Sequence, residues 1–246
     1  MKPKSHTLFH FTSEMSVLKC ILRDGFWPRY CLEDIRWLSE DGIDYVAFPT
    51  VCFCDIPLSR IQEHVGFYGN FGVGMTKDWA LRNGLNPILY VSGNNPLQKQ
   101  LCALNEHANK LNDTEAVMAA KTTMRFILAH CKPAEGHMIV GGKPAEKEFY
   151  QESEWRYVPI SEFISPYLKS EKFEDMEKLE NENKKTKEHC ALRITPQDIK
   201  YIFVKSDSDI PEVVNFIQVE LDQFPSSDLK VLVSRVTSLE SINNDL

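Results

Sequence analysis

Phe149–Pro159, FYQESEWRYVP, is the stretch from which the fold is read. It is rich in aromatic and β-favouring residues that suit a pleated surface. As a strand it alternates its side chains between two faces. Tyr150, Glu152, Glu154, Arg156 and Val158 then share one side, and Phe149, Gln151, Ser153, Trp155 and Tyr157 the other. Two strand rises place the two carboxylates about 7 Å apart. That gap suits chemistry through a sugar cation, in which one carboxylate stabilises positive charge and the other handles a proton. The same residues also make an ordinary charged face on an edge strand, where charge discourages unwanted pairing.

Composition sets the frame around this strand. The chain has 246 residues and is 43% hydrophobic, enough to fill a core. Its formal charge of −7 does not draw a polyanion to the molecule as a whole. Seven cysteines without a CxxC pair, and an N-terminus lacking an apolar signal core, predict reduced thiols in a cytoplasmic protein. No apolar run reaches membrane-spanning length, so no membrane partner is expected.

Moving outward, Leu8–Thr12 reads as a first strand, capped by Thr12 or Ser13 into a helix with a Val17, Leu18, Ile21, Leu22 stripe that stops at Gly25. Phe26–Asp44 reads as irregular. In Val46–Cys54, Pro49 suggests an edge, a bend or the strand start and leaves Val51–Cys54 as the secure strand. Cys52 and Cys54 with His64 lack a fourth ligand for a metal site. Asp55 is a candidate cap for a helix to about Val65. The glycines of 66–74 can cradle a phosphate but read more plainly as a turn before a strand at Phe71–Met75. Thr76 caps a short helix over Lys77–Asn83, and Pro87–Ser92 is another strand.

Residues 96–132 carry two amphipathic patterns, an inserted helical hairpin. Gly136–Lys147 reads as a loop. The segment 169–189 is a solvated helix or a disordered excursion, with seven acids and six lysines intermixed over 169–188. Asp198–Lys205 is a strand, Pro211–Phe224 a helix and Leu229–Val233 a last strand. The whole, 1–246, is read as a single α+β domain: a split, mostly antiparallel sheet with helices on its faces.

Five strings carry a resemblance: LFHFT at Leu8–Thr12, PRYCLED at Pro28–Asp34, VCFCDIPLS at Val51–Ser59, YGNFGVGMTKDWA at Tyr68–Ala80 and ESEWRYVP at Glu152–Pro159. Together they resemble the AbiGi family of abortive phage infection proteins, a family labelled antitoxin. The resemblance implies a phage-defence role and a cognate partner, a nucleotidyltransferase-like toxin that the chain neutralises by binding.

The order first-strand His, middle-strand element and late-strand Glu-Ser-Glu also resembles, more distantly, ADP-ribosyltransferases. That resemblance implies NAD as substrate and a protein or nucleic acid as acceptor. Glu154 would stabilise the oxocarbenium-like transition state and Glu152 would position the accepting nucleophile. His10 would hold the dinucleotide, with Thr12, Arg29, Phe53 and Tyr68 as further binding positions. Phe53 or Cys54 stands where the pattern has Tyr or Ser. Catalysis of this kind is mostly positioning and charge stabilisation.

Overall fold

The structure is a computed structural model, and it describes residues 5–38, 44–93, 95–140 and 143–245. In chain order the elements are β1 (Thr7–Thr12), α1 (Met15–Asp24), β2 (Arg29–Asp34), β3 (Tyr45–Cys54), α2 (Ile61–Tyr68), β4 (Phe71–Thr76), α3 (Lys77–Arg82), β5 (Asn86–Pro87) and β6 (Leu89–Val91). They continue with α4 (Pro96–Asn109), α5 (Thr114–Ala129), β7 (Cys131–Pro133), β8 (Gly136–Val140), β9 (Lys143–Lys147), β10 (Glu154–Tyr157), β11 (Leu168–Lys169), α6 (Ser170–Glu174) and α7 (Met176–Cys190). The last are β12 (Ile199–Val204), α8 (Ile210–Glu220), α9 (Ser226–Val233), β13 (Val236–Ser238) and α10 (Leu239–Asp245). The protein is a mixed α+β chain whose strand pairs are mostly antiparallel. Among the described residues no helix is long and apolar enough to cross a membrane.

Two compact units share the chain. The first is built from Met1–Phe26, Cys52–Leu85 and Leu192–Leu246. Here β1 runs antiparallel to β4 along its whole length, with His10 opposite Val73. The strand β12 pairs antiparallel with β4, and β13 joins β12 in parallel. Phe9, Phe11, Phe203, Ile61 and Leu239 pack together and are buried. Each such side chain contributes roughly 1.5–3 kcal/mol by leaving water. The glycines of β4 serve this packing: a Cβ on Gly72 would stand 2.6 Å from the Phe11 ring and 2.7 Å from the His10 carbonyl oxygen. The strand reading of Phe71–Met75 holds, whereas α2 runs on to Tyr68 and takes in Gly66, so the turn begins only at Gly69.

At the other end of β1, α1 buries Leu18, Ile21 and Leu22 and stops at Gly25. Its N-cap is Glu14, which makes no side-chain cap bond, rather than Thr12 or Ser13. Asp55 likewise does not cap: it pairs with Lys77 at 2.6 Å, and the chain enters α2 through a 3-10 turn at Leu58–Arg60. Thr76 caps α3 by accepting from the Trp79 amide. The expected last strand at Leu229–Val233 is instead helix α9, which buries Leu229 and Leu232 three residues apart. Short apolar runs fit either period, and here the strand comes slightly later as β13.

The second unit is built from Trp27–Val51 and Asn86–Ala191. Phe26–Asp44 is less irregular than its sequence: β2 pairs antiparallel with β3 from Arg29 opposite Thr50 to Asp34 opposite Tyr45. Pro49 sits inside β3 opposite Tyr30. The pair is of the kind that exchanges no hydrogen bonds, so the missing amide costs nothing on that side. Helices α4 and α5 are capped by Asn95 and Asp113. They bury Leu101, Met124 and Ala129 with Val46, Phe48 and Val91. The loop expected at Gly136–Lys147 is a two-stranded hairpin, β8 with β9. The charged segment folds as α6 and α7. It is not fully solvated, because Glu182, Asn183, Thr186 and Cys190 are buried.

Candidate functional site

The acid-rich stretch folds differently from a single strand. Phe149–Glu152 is a 3-10 turn, Ser153 adopts a left-handed φ of 46°, and only Glu154–Tyr157 is β10. Ser153 carries the positive φ that a short polar residue tolerates. It swings Glu152 off the strand while leaving Glu154 and Arg156 on its buried face. The expected strand spacing of the two acids is therefore replaced by convergence on a shared cation. Lys132 of β7 stands 3.0 Å from Glu154 Oε2 and 3.7 Å from Glu152 Oε2. Its ammonium also lies 4.5 Å from the centre of the Phe149 ring.

The remaining positions around the acids are also occupied. Arg156 is fully buried, and its Nε donates to Glu154 Oε1 at 2.6 Å. Its Nη1 donates to the Ala129 carbonyl at 2.8 Å, and its Nη2 to Glu33 Oε1 at 2.7 Å. Lys147 pairs with Glu152 Oε1. The Glu154 amide donates to the Tyr90 hydroxyl at 2.8 Å. Three carboxylates, Glu33, Glu152 and Glu154, thus meet three cations, Lys132, Lys147 and Arg156. Burial alone would lower the Lys132 pKa, but Glu154, with Glu33 and Glu152, outweighs it and raises it. At Lys147 burial dominates over Glu152, and the pKa is lowered. Tyr90 is pushed up by burial.

A buried ion network needs every partner, since an orphaned charge in low dielectric is costly. Both oxygens of Glu154 face cations of its own chain. A carboxylate that stabilises a substrate cation has to present an oxygen to the substrate instead.

The other expected site residues lie as follows. His10, Thr12, Phe53 and Tyr68 belong to the first unit, and Glu152, Glu154 and Arg29 to the second. His10 Nδ1 meets the Cys52 carbonyl oxygen at 2.8 Å. Its ring lies 5.2 Å from Phe26 and 5.5 Å from Phe53, edge-on and tilted. Phe53 is 2% exposed and continues this cluster to Trp79. Thr12 ends β1 opposite Phe71. Tyr68 packs its ring 4.4 Å from His64. Arg29 lies 3.3 Å from Glu180 and stacks over Trp27 at 4.9 Å.

Burial lowers the His10 pKa, and the bond to Cys52 opposes this only in part. The unfolded chain, with an ordinary pKa near about 6.5, therefore takes up a proton first as pH falls. Stability is expected to fall as pH drops through ~6.5, and less steeply in His10→Gln. Urea midpoints followed from neutral to mildly acidic pH check this. Equal slopes in both proteins would remove His10 from the acid response.

Sequence reasoning missed Lys132, Lys147, Glu33 and Tyr90. Lys132 stands in the short run Cys131–Pro133, and its partners lie about twenty residues away with no local spacing to reveal them.

The fold is mixed α+β, and its second unit holds a charge-balanced buried cluster. The chain belongs to the AbiGi family: the family model described as "Putative abortive phage resistance protein AbiGi, antitoxin" matches residues 24–205. It is similar to the abortive phage resistance protein AbiGi of Lactococcus lactis subsp. cremoris, at 26% identity over 253 residues that cover 90% of this chain and 99% of that protein. No solved structure matches the chain.

Proposed function

We propose that the protein acts in phage defence as an antitoxin, by binding and neutralising a toxin of the nucleotidyltransferase-like kind. One observation carries the reading: Glu154, the acid best placed for NAD chemistry, has Arg156 on one oxygen and Lys132 on the other. Family membership and the antitoxin description of the matching model support it. In this reading Glu152 and Glu154 hold the second unit together, and recognition is left to the surface.

A second reading rests on the inward orientation of the same acids, which are 5% and 4% exposed. It makes the chain an ADP-ribosyltransferase-like enzyme that cleaves NAD and modifies a protein or nucleic acid. Glu154 would then have to exchange a cation of its own chain for the substrate's. The two readings separate in one assay. Purified protein incubated with NAD is expected to release no more nicotinamide than Glu154→Gln does. Release by the native chain that Glu154→Gln lacks would overturn the antitoxin reading and install the enzyme. Rescue of growth in cells expressing the toxin is the positive counterpart, and its failure would also count against the antitoxin.

A further inference from the structure

Strand β2 pairs with β3 alone among the described residues. Its register fixes which of its peptide groups point outward. Tyr30 stands opposite Pro49, which has no amide, so this pair exchanges no ladder bond. By alternation the backbone groups of Tyr30, Leu32 and Asp34 face away from β3. The hydrogen bonds agree: the Tyr30 amide donates outward to Asn183 Oδ1 at 3.1 Å. The Thr186 hydroxyl donates to the Pro28 carbonyl, the preceding outward group.

Both partners come from α7. Two side chains one helical turn apart thus supply what a neighbouring strand would otherwise supply, an acceptor for Tyr30 and a donor for Pro28. Asn183 and Thr186 are buried at 1% and 0% exposure although both are polar. From the same helix, Glu180 lies 3.3 Å from Arg29. Leu32, next along the edge, is 40% exposed.

We infer that α7 is a guard over the outer edge of β2, and that the occupant it excludes is the β2 edge of a second copy of this chain. The edge is self-complementary about a two-fold axis at Leu32. Leu32 then pairs with its own counterpart, and Tyr30 with Asp34 of the other copy. With α7 in place the Tyr30 amide is already committed, so only the Leu32 pair can form. With the guard removed, the Tyr30 amide is released, and the exposed leucines meet at the axis.

The test removes the guard's two side-chain hydrogen bonds and then the edge. Asn183→Ala with Thr186→Val takes away both side-chain partners at little cost in volume. In sedimentation across micromolar concentrations the native chain is expected to stay monomeric and the double variant to dimerise. Adding Leu32→Pro removes the outward amide at the centre of the pairing without touching a ladder bond to β3, a place where an edge strand tolerates proline. It is expected to return the double variant to monomer. A folded double variant that stays monomeric, or a dimer indifferent to Leu32→Pro, would overturn the inference. If the double variant does not fold, hydrogen exchange of the native chain decides. The Tyr30 amide is expected to be protected and the Leu32 amide to exchange freely, and a protected Leu32 amide would overturn it as well.

Discussion

Arg156→Met is expected to destabilise the protein by about 3–5 kcal/mol, the cost of breaking a buried ion network by removing one partner. The substitution keeps the length of the side chain but removes three hydrogen bonds at once, to Glu154, Glu33 and the Ala129 carbonyl. Glu154 retains Lys132, at 3.0 Å. Glu33 loses a 2.7 Å partner while its side chain is only 18% exposed. Against a total stability of roughly 5–15 kcal/mol, such a loss is a large share of the whole. Urea unfolding measures it. Adding Glu33→Gln restores the charge balance and is expected to recover ~1 kcal/mol or more of the loss. A single variant within ~1 kcal/mol of the native chain would mean that the cluster does not hold the unit together.

Gly25→Ala is the second large effect expected, a loss of about 3 kcal/mol or more from backbone strain and broken hydrogen bonds together. Gly25 has φ 82° and ψ −164°, a conformation closed to residues with a Cβ. An added Cβ would sit 2.1 Å from the Leu192 carbonyl oxygen. That oxygen accepts from the Phe26 amide at 3.0 Å, and the Leu192 amide returns a bond to Phe26 at 2.6 Å. The clash cannot be relieved without opening this bridge, which ties the end of α1 to the start of the C-terminal segment. Gly66 is the control. A Cβ there meets nothing within 4 Å, and Gly66→Ala inside α2 is expected to stabilise by ~0.5–1 kcal/mol. Thermal midpoints moving in opposite directions check both.

What could be read from the sequence follows from the range of each signal. Periodic apolar spacing locates α1, α4, α5 and α8, and short apolar runs locate β1, β4 and β12, because both signals are local. The hairpin of β8 and β9 reads as a loop in sequence, since its turn glycines outweigh its short strands. Helix α9 reads as a strand because Leu229–Val233 is too short for period to decide. The charged segment reads as a solvated helix or a disordered excursion because periodicity detects apolar stripes, whereas α7 docks through Asn183 and Thr186, which are polar. At the site, Glu152, Glu154 and His10 stood out by residue type. The cations that define the state of the acids did not, because Lys132 and Lys147 reach them across a turn and from separate strands. A carboxylate in sequence shows its charge but not its partner.

The two units are threaded through one another along the chain, and this orders their completion during synthesis. All of the second unit has been translated once Ala191 has been made. The first unit begins earlier, with β1, but β12 and β13 arrive only from Ile199 onward. Strand β4 therefore leaves the ribosome with one side paired to β1 and the other waiting for more than a hundred residues of unrelated structure to be made. A nascent chain halted inside α7 would hold an unfinished second unit and, in the first, a β4 with one side unpaired, the kind of exposed edge that recruits chaperones or aggregates.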